Sequence, residues 1–212
     1  LALPCYALGV LSSSPTIAYS LRGSCYLNVT SRCTLRCAFC PKFNRIWVIG
    51  DANLHLPREP TVGEVLAAVG DPRRYEELVF CGLGEPTLRL YDMLEVAAEL
   101  HQRGAERVRL DTDGLANLVY GRDVTPDLEG LIDAVSISMN AQNEAAYNRH
   151  CRPTMPRSYY AMLDFADHAR DYVPDVTLTA IDGLEGVDMA ACERIAQNLG
   201  VKFRRRVLGV VG

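Results

Sequence analysis

Three of the eight cysteines fall in one tight run, Cys33-Thr-Leu-Arg-Cys37-Ala-Phe-Cys40, directly behind the strand-like stretch Ser24-Cys-Tyr-Leu-Asn-Val-Thr30. Thiolates at C-x3-C-x2-C spacing on such a loop can close on three corners of a metal–sulfide cube. They cannot complete a four-cysteine site by themselves. Iron–sulfur clusters held by cysteine take four ligands, so this loop would leave one iron with an open position where a small molecule can bind. Two plainer arrangements use the same residues: a zinc site completed by a distant ligand, or ordinary reduced thiols. Zinc sites come as paired C-x2-C or C…H elements, and none of His55, His101, His150 and His168 has that spacing.

Six further groups could do chemistry. Gly82-Leu-Gly84-Glu85-Pro86 offers glycines that let backbone approach a ligand, and a carboxylate that can accept from an ammonium group; a strand-to-helix turn explains it equally well. Asp111-Thr-Asp-Gly114 is either a cofactor or cation contact through Asp111 or an Asp-Gly turn. Ser136, Ser138 and Asn140 share one face at the strand period, a polar stripe that is costly unless hydrogen-bonded. Arg152 could pair with a carboxylate in bidentate fashion. Arg32, Arg36, Lys42 and Arg45 surround the thiols and either are solvated or draw in an anion. Of Arg204, Arg205 and Arg206 in a late strand, an inward Arg205 would mark a substrate-anion site.

The elements that must position these residues alternate. Strands are expected at 16–21 and 24–30 around an Arg22-Gly23 turn, then at 77–81, 107–111, 133–138, 175–180 and 201–207. Helices are expected from the Thr61/Glu64 capping box to Gly70, then at about 91–103, 127–132, 158–170 and 188–199. A loop or short helix joins Asn140 to Arg152. Residues 43–60 show no period; Trp47-Val-Ile reads as a short strand or flap, a candidate cover for the site. About six strand–helix repeats call for a parallel α/β sheet. They are too few for the closed barrel of about 250 residues, leaving an open doubly wound sheet or a partial barrel.

The chain of 212 residues carries a net charge of −4, which excludes a protein devoted to coating nucleic acid or an anionic membrane. No run reaches the roughly 18 apolar residues of a spanning helix. Cys25, Cys81, Cys151 and Cys192 are scattered singly and read as small buried hydrophobes. Eight cysteines without regular pairing fit a reducing compartment. Residues 1–14 read as an extension outside a single domain over 15–212.

C-x3-C-x2-C with Phe39 before the last cysteine resembles the signature of the radical S-adenosylmethionine enzymes. The resemblance implies a curved, TIM-like partial (β/α)6 barrel with its site at the carboxyl ends of the strands. It implies a [4Fe–4S] cluster on Cys33, Cys37 and Cys40, with S-adenosylmethionine chelating the fourth iron. Reductive cleavage then yields a 5′-deoxyadenosyl radical that abstracts hydrogen from a substrate. Gly82, Gly84 and Glu85 correspond to the motif that binds the methionine amine. Asp111-Thr-Asp-Gly114 resembles the D-T-N-G loop of the glycyl-radical-enzyme activases. Ser136, Ser138 and Asn140 occupy the strand end that contacts the ribose and the methionine carboxylate, with Arg152 beyond it. Ala180-Ile-Asp-Gly-Leu-Glu185 departs from the adenine-side pattern at Ala180. Tyr26–Cys33, Phe39–Pro41, Val79–Thr87, Val108–Gly114 and Val135–Asn140 are similar to the radical proteins associated with TatD-family nucleases. The resemblance further implies an oxygen-sensitive cytoplasmic enzyme with a flavodoxin or ferredoxin as electron donor and a link to a TatD-family hydrolase. Its substrate would be a peptide or protein, or a nucleoside-like heterocycle; the basic residues near the thiols mildly favour an anionic one. The alternative is a non-catalytic iron–sulfur or zinc protein serving a nuclease.

Overall fold

A computed structural model describes residues 14–208 of the chain. An antiparallel hairpin, β1 (Ala18–Leu21) and β2 (Ser24–Leu27), opens it, and a second small hairpin follows, β3 (Val48–Ile49) and β4 (Ala52–Asn53). Then come α1 (Val62–Val69), β5 (Leu78–Phe80), α2 (Leu90–Gln102), β6 (Val108–Thr112) and α3 (Ala116–Tyr120). The chain continues with β7 (Ala134–Ser138), α4 (Glu144–Cys151), α5 (Ser158–Ala169), β8 (Asp175–Asp182), α6 (Met189–Asn198) and β9 (Lys202–Val207).

The large sheet runs β1-β2-β5-β6-β7-β8-β9, and every neighbouring pair except β1–β2 is parallel. A doubly wound sheet reverses its strand order at a switch point. This one steps by one strand each time, in one direction, and right-handed crossovers then place all helices on one face. The fold is therefore the partial barrel, not the doubly wound alternative.

Strand alternation divides the two faces. Cys25, Leu27, Leu78, Phe80, Val108, Leu110, Val135, Ile137, Val176 and Leu178 join helix residues such as Met93, Leu100, Met162 and Phe165 in one core. Each such Leu or Phe contributes about 1.5–3 kcal/mol by leaving water. The opposite face, the barrel lumen, carries Tyr26, Arg109, Asp111, Ser136, Ser138, Thr177 and Thr179, paired across the register.

The Thr61/Glu64 capping box forms as expected, with Glu64 Oε2 accepting from Thr61 N at 2.8 Å. The expected helix at 127–132 does not: Thr125–Leu128 is a single 3-10 turn with Pro126 at its start, and Gly130 at φ 70° turns the chain away. α3 was not expected. Residues 43–60 are anchored rather than a free flap, since Thr16 N donates to Asn53 O (2.7 Å) and Asn28 Nδ2 to Leu54 O (3.2 Å). The expected extension over 1–14 lies outside the described residues except for Ser14. Among the described residues no helix is long and apolar enough to cross a membrane.

Candidate metal centre

The cysteine loop leaves the carboxyl end of β2 and is clamped from the far side of the sheet. Arg36 N donates to Cys151 O (3.0 Å), Ala38 N to His150 O (2.8 Å) and Thr154 N to Thr34 O (3.1 Å), so the last turn of α4 grips the motif. Asn143 caps that helix by accepting from Ala146 N, which sets the grip. Cys37 is buried, Cys33 and Cys40 half-buried, and all three are free. Contact with the Cys151 thiol, then burial, pushes Cys37 far up from its ordinary value; burial does the same for Cys33 and raises Cys40.

Do these residues fit a cluster? Among the described residues no three His, Cys, Asp or Glu side chains are drawn together tightly enough to hold one metal ion. The thiol ligands of a cube stand farther apart than those of a single ion, because each takes a different corner. Tyr147 is fully buried, its hydroxyl has no partner, and it lies within electrostatic reach of Cys33 and Cys37. An orphaned buried hydroxyl costs about 1–3 kcal/mol, so something polar is missing beside the thiols. The donor set and its surroundings fit.

The glycine-rich loop has a different reason for its glycines than the sequence suggests. A Cβ on Gly84 would stand 2.1 Å from Thr30 O, and one on Gly82, at φ 151°, 2.7 Å from Asn28 Oδ1. The loop packs on the segment leading to Cys33, and that close approach to the Thr30 backbone and the Asn28 side chain by itself demands glycine at both positions. Glu85 is correspondingly spent inside the protein. Its Oε1 accepts from Thr87 N (3.0 Å), Thr87 Oγ1 (2.8 Å) and Thr112 Oγ1 (2.7 Å), and Oε2 accepts from Asp113 N (2.7 Å). Only Oε2 keeps spare acceptor capacity for an ammonium group. Asp113 faces Glu85, accepts from Thr34 Oγ1, and so ties the cysteine loop to β6. Burial holds both groups above the usual carboxylate range, and for Asp113 the neighbouring Glu85 carboxyl pushes further the same way.

Asp111 points into the lumen and pairs with Arg109 on its own strand. The expected polar stripe is there and finds partners: Ser136 Oγ accepts from Arg204 Nη2 (2.9 Å), and Asn140 Oδ1 from Arg206 Nη2 (3.4 Å). Asn140, at φ 59°, also reaches Cys151 Sγ through Nδ2 (3.6 Å). Arg152 is exposed and makes no ion pair among the described residues; its contribution is backbone, as the left-handed cap of α4 whose carbonyl accepts from Arg36 N (3.3 Å). The expectation for Arg205 reverses: it faces out toward Asp182 (3.7 Å), and Arg204 and Arg206 face in. Of the basic residues round the thiols, Lys42 donates to Ser31 O (3.0 Å) and Arg32 pairs with Glu59 (2.7 Å). Phe39 packs half-buried on the core between the last two cysteines.

Sequence reasoning missed Tyr147, Cys151, Thr34 and Asp113 as parts of this centre. Only Asp113 carried a signal, as a second acidic residue in the loop after β6.

The Radical SAM superfamily model matches residues 27–199. The fold is similar to the structure of TYW1 with a lysine-pyruvate adduct bound, at 16% identity and TM-score 0.60, covering 89% of this chain and 66% of that one. It is similar to a radical SAM methyltransferase from Sphaerobacter thermophilus, at 17% identity and TM-score 0.55, covering 90% and 68%. A third likeness is to the FeFe-hydrogenase maturase HydG from Carboxydothermus hydrogenoformans, at 15% identity and TM-score 0.59, covering 88% and 44%. The chain thus spans about two thirds of the first two and less than half of the third. With the cysteine loop seated at the carboxyl end of a partial barrel and the family model running through nearly all of it, the chain belongs to the radical SAM superfamily, whose members are enzymes that bind a [4Fe–4S] cluster and S-adenosylmethionine.

Proposed function

We propose that Cys33, Cys37 and Cys40 hold a [4Fe–4S] cluster whose fourth iron takes S-adenosylmethionine, and that the chain directs hydrogen abstraction from an organic substrate in the lumen. When bound, the pair supplies one-electron cleavage of a carbon–sulfur bond and thereby a 5′-deoxyadenosyl radical. The chain's own residues do the rest. The α4 clamp fixes the loop, and Gly82 and Gly84 let the next loop pack beneath it. Glu85 Oε2 and the backbone around it take the methionine amine. Ser138 and Asn140, at the end of β7, serve the ribose and carboxylate, with Asp111 below them; Arg152 is left with a structural part. The observation that carries this reading is the set of three reduced thiols on one clamped loop beside the buried, unpartnered Tyr147 hydroxyl.

The similarity of Val79–Thr87 and Val135–Asn140 to the TatD-associated group supports a functional link with such a hydrolase. A flavodoxin or ferredoxin would deliver the electron in the cytoplasm. A peptide or a nucleoside-like heterocycle is the substrate class in keeping with that likeness.

Iron and sulfide analysis of the anaerobically reconstituted chain tests the reading. About four of each per chain are expected, lost in Cys37→Ala and retained in Cys192→Ala, whose thiol is buried under α6. One zinc without sulfide, or equal loss in both variants, would overturn it.

A further inference from the structure

The lumen is floored by ion pairs that satisfy one another. Glu77 pairs with Arg107 and Arg109 (2.9 Å each), and Asp175 with Arg107 (2.9 Å) and Lys202 (3.0 Å). Asp111 is held by Arg109. Above this floor Arg204 and Arg206 reach inward from β9, and among the described residues neither has a carboxylate at ion-pair distance. Their partners are neutral: the Ser136 hydroxyl and the Asn140 amide oxygen. Arg206 Nε is buried with no partner at all. Asp111, already held by Arg109, lies within electrostatic reach of both arginines, but a buried guanidinium nitrogen left without a partner is costly unless an anion joins it.

A cavity of about 210 Å³ opens beside Arg204, lined also by Arg109, Ser136 and Thr177 over the floor of Glu77, Arg107 and Asp175; Arg206, two residues further toward the carboxyl end of β9, stands above it and outside its lining. The cavity lies toward the starts of the strands, since Ala134 and Asp175, the first residues of β7 and β8, also border it. The cysteine loop stands at the opposite, carboxyl end. The cavity therefore lies at the end of the strands away from the thiols.

We propose that the substrate carries a carboxylate or phosphate group that binds in the lumen at the upper edge of this cavity, with Arg204 on the cavity side and Arg206 above it as counter-ions and the Ser136 and Thr177 hydroxyls as further donors. That the bound molecule is a substrate rests on the radical reading; the anion site itself does not. Arg204, half in solvent on the edge strand, admits the group, and Arg206 above it stands between the anion and Asn140. The site orients the bound molecule so that its far end lies under the cysteine loop.

Thermal unfolding of the full chain without cluster, titrated with inorganic phosphate and separately with succinate at constant ionic strength, tests the site. Binding only to the folded state raises the midpoint in a saturable way. That rise is expected for the wild type and for Arg205→Gln, whose side chain points outward. It is expected to vanish in the Arg204→Gln/Arg206→Gln double variant and to survive in part in Arg204→Lys/Arg206→Lys, which reports on folding. The anion giving the larger rise names the group. No saturable rise with either anion, or an equal rise in the double variant, would overturn the proposal. Equilibrium dialysis of S-adenosylmethionine against the cluster-loaded double variant should match wild type; binding more than about tenfold weaker would give these arginines to the cofactor's carboxylate instead and likewise overturn it. Because the titration needs no cluster, a chain that binds anion but no iron would retire the radical reading and leave this site standing.

Discussion

Gly84→Ala should damage the centre without touching a cysteine. The new methyl carbon would stand 2.1 Å from Thr30 O and 2.7 Å from Arg32 O, both backbone atoms of the segment entering the cysteine loop. Backbone cannot swing aside as a flexible side chain can. The same approach is fixed by Glu85 N donating to Arg32 O at 2.7 Å. Overpacking costs about 1–3 kcal/mol and the broken hydrogen bond about 1 kcal/mol more, so about 2–4 kcal/mol in all. For a chain of this length that lowers the thermal midpoint by roughly 5–15 °C. Gly63→Ala is the matched control: it lies on α1, and a Cβ there meets nothing within 4 Å. Alanine in a helix should gain up to about 1 kcal/mol. Scanning calorimetry of both variants without cluster, followed by iron retention after reconstitution, reads the difference. A Gly84→Ala midpoint at or above that of wild type would refute the packing argument.

Two other perturbations are informative. Arg109→Met removes the cation shared by Glu77 and Asp111, a side chain 12% exposed; urea unfolding should show a loss of about 3 kcal/mol, at the low end for a broken buried pair because Arg107 still serves Glu77, and no loss would mean that the ladder is slack. The Glu85–Asp113 pair sets a pH dependence. Its raised folded values mean that the folded chain holds more protons than the unfolded one above the ordinary carboxylate range, so stability falls as pH rises toward those values. Asp113→Asn abolishes the mutual repulsion and should flatten that fall in urea midpoints between about pH 5 and 8; equal slopes would contradict the pairing.

Much of this was legible because local chemistry and global topology agree. Thr61 and Glu64 announce α1, Gly70 ends it, and the six-fold alternation announces the parallel sheet. The cysteine spacing announces the centre. What stayed hidden depends on which way a strand faces or on contacts remote in sequence. The arginine run at 204–206 fixes only that Arg205 opposes its neighbours; the β8 register, Thr179 beside Arg204, decides which face is the lumen. That Glu85 has only Oε2 left for a ligand appears once Thr87 and Thr112 are seen to fill Oε1 and Asp113 N to share Oε2. Tyr147 and Cys151 sit on α4 more than a hundred residues beyond the motif they pack against, and no local pattern marks them. Gly130, at φ 70°, is the local signal against the helix expected at 127–132.

Production of 5′-deoxyadenosine tests the central proposal most directly. The chain is reconstituted anaerobically, given dithionite and S-adenosylmethionine, and the products are separated by chromatography. Expected is 5′-deoxyadenosine from the wild type and from Cys192→Ala, and none from Cys33→Ala. A fully loaded cluster that binds no S-adenosylmethionine and yields none of the product would contradict it.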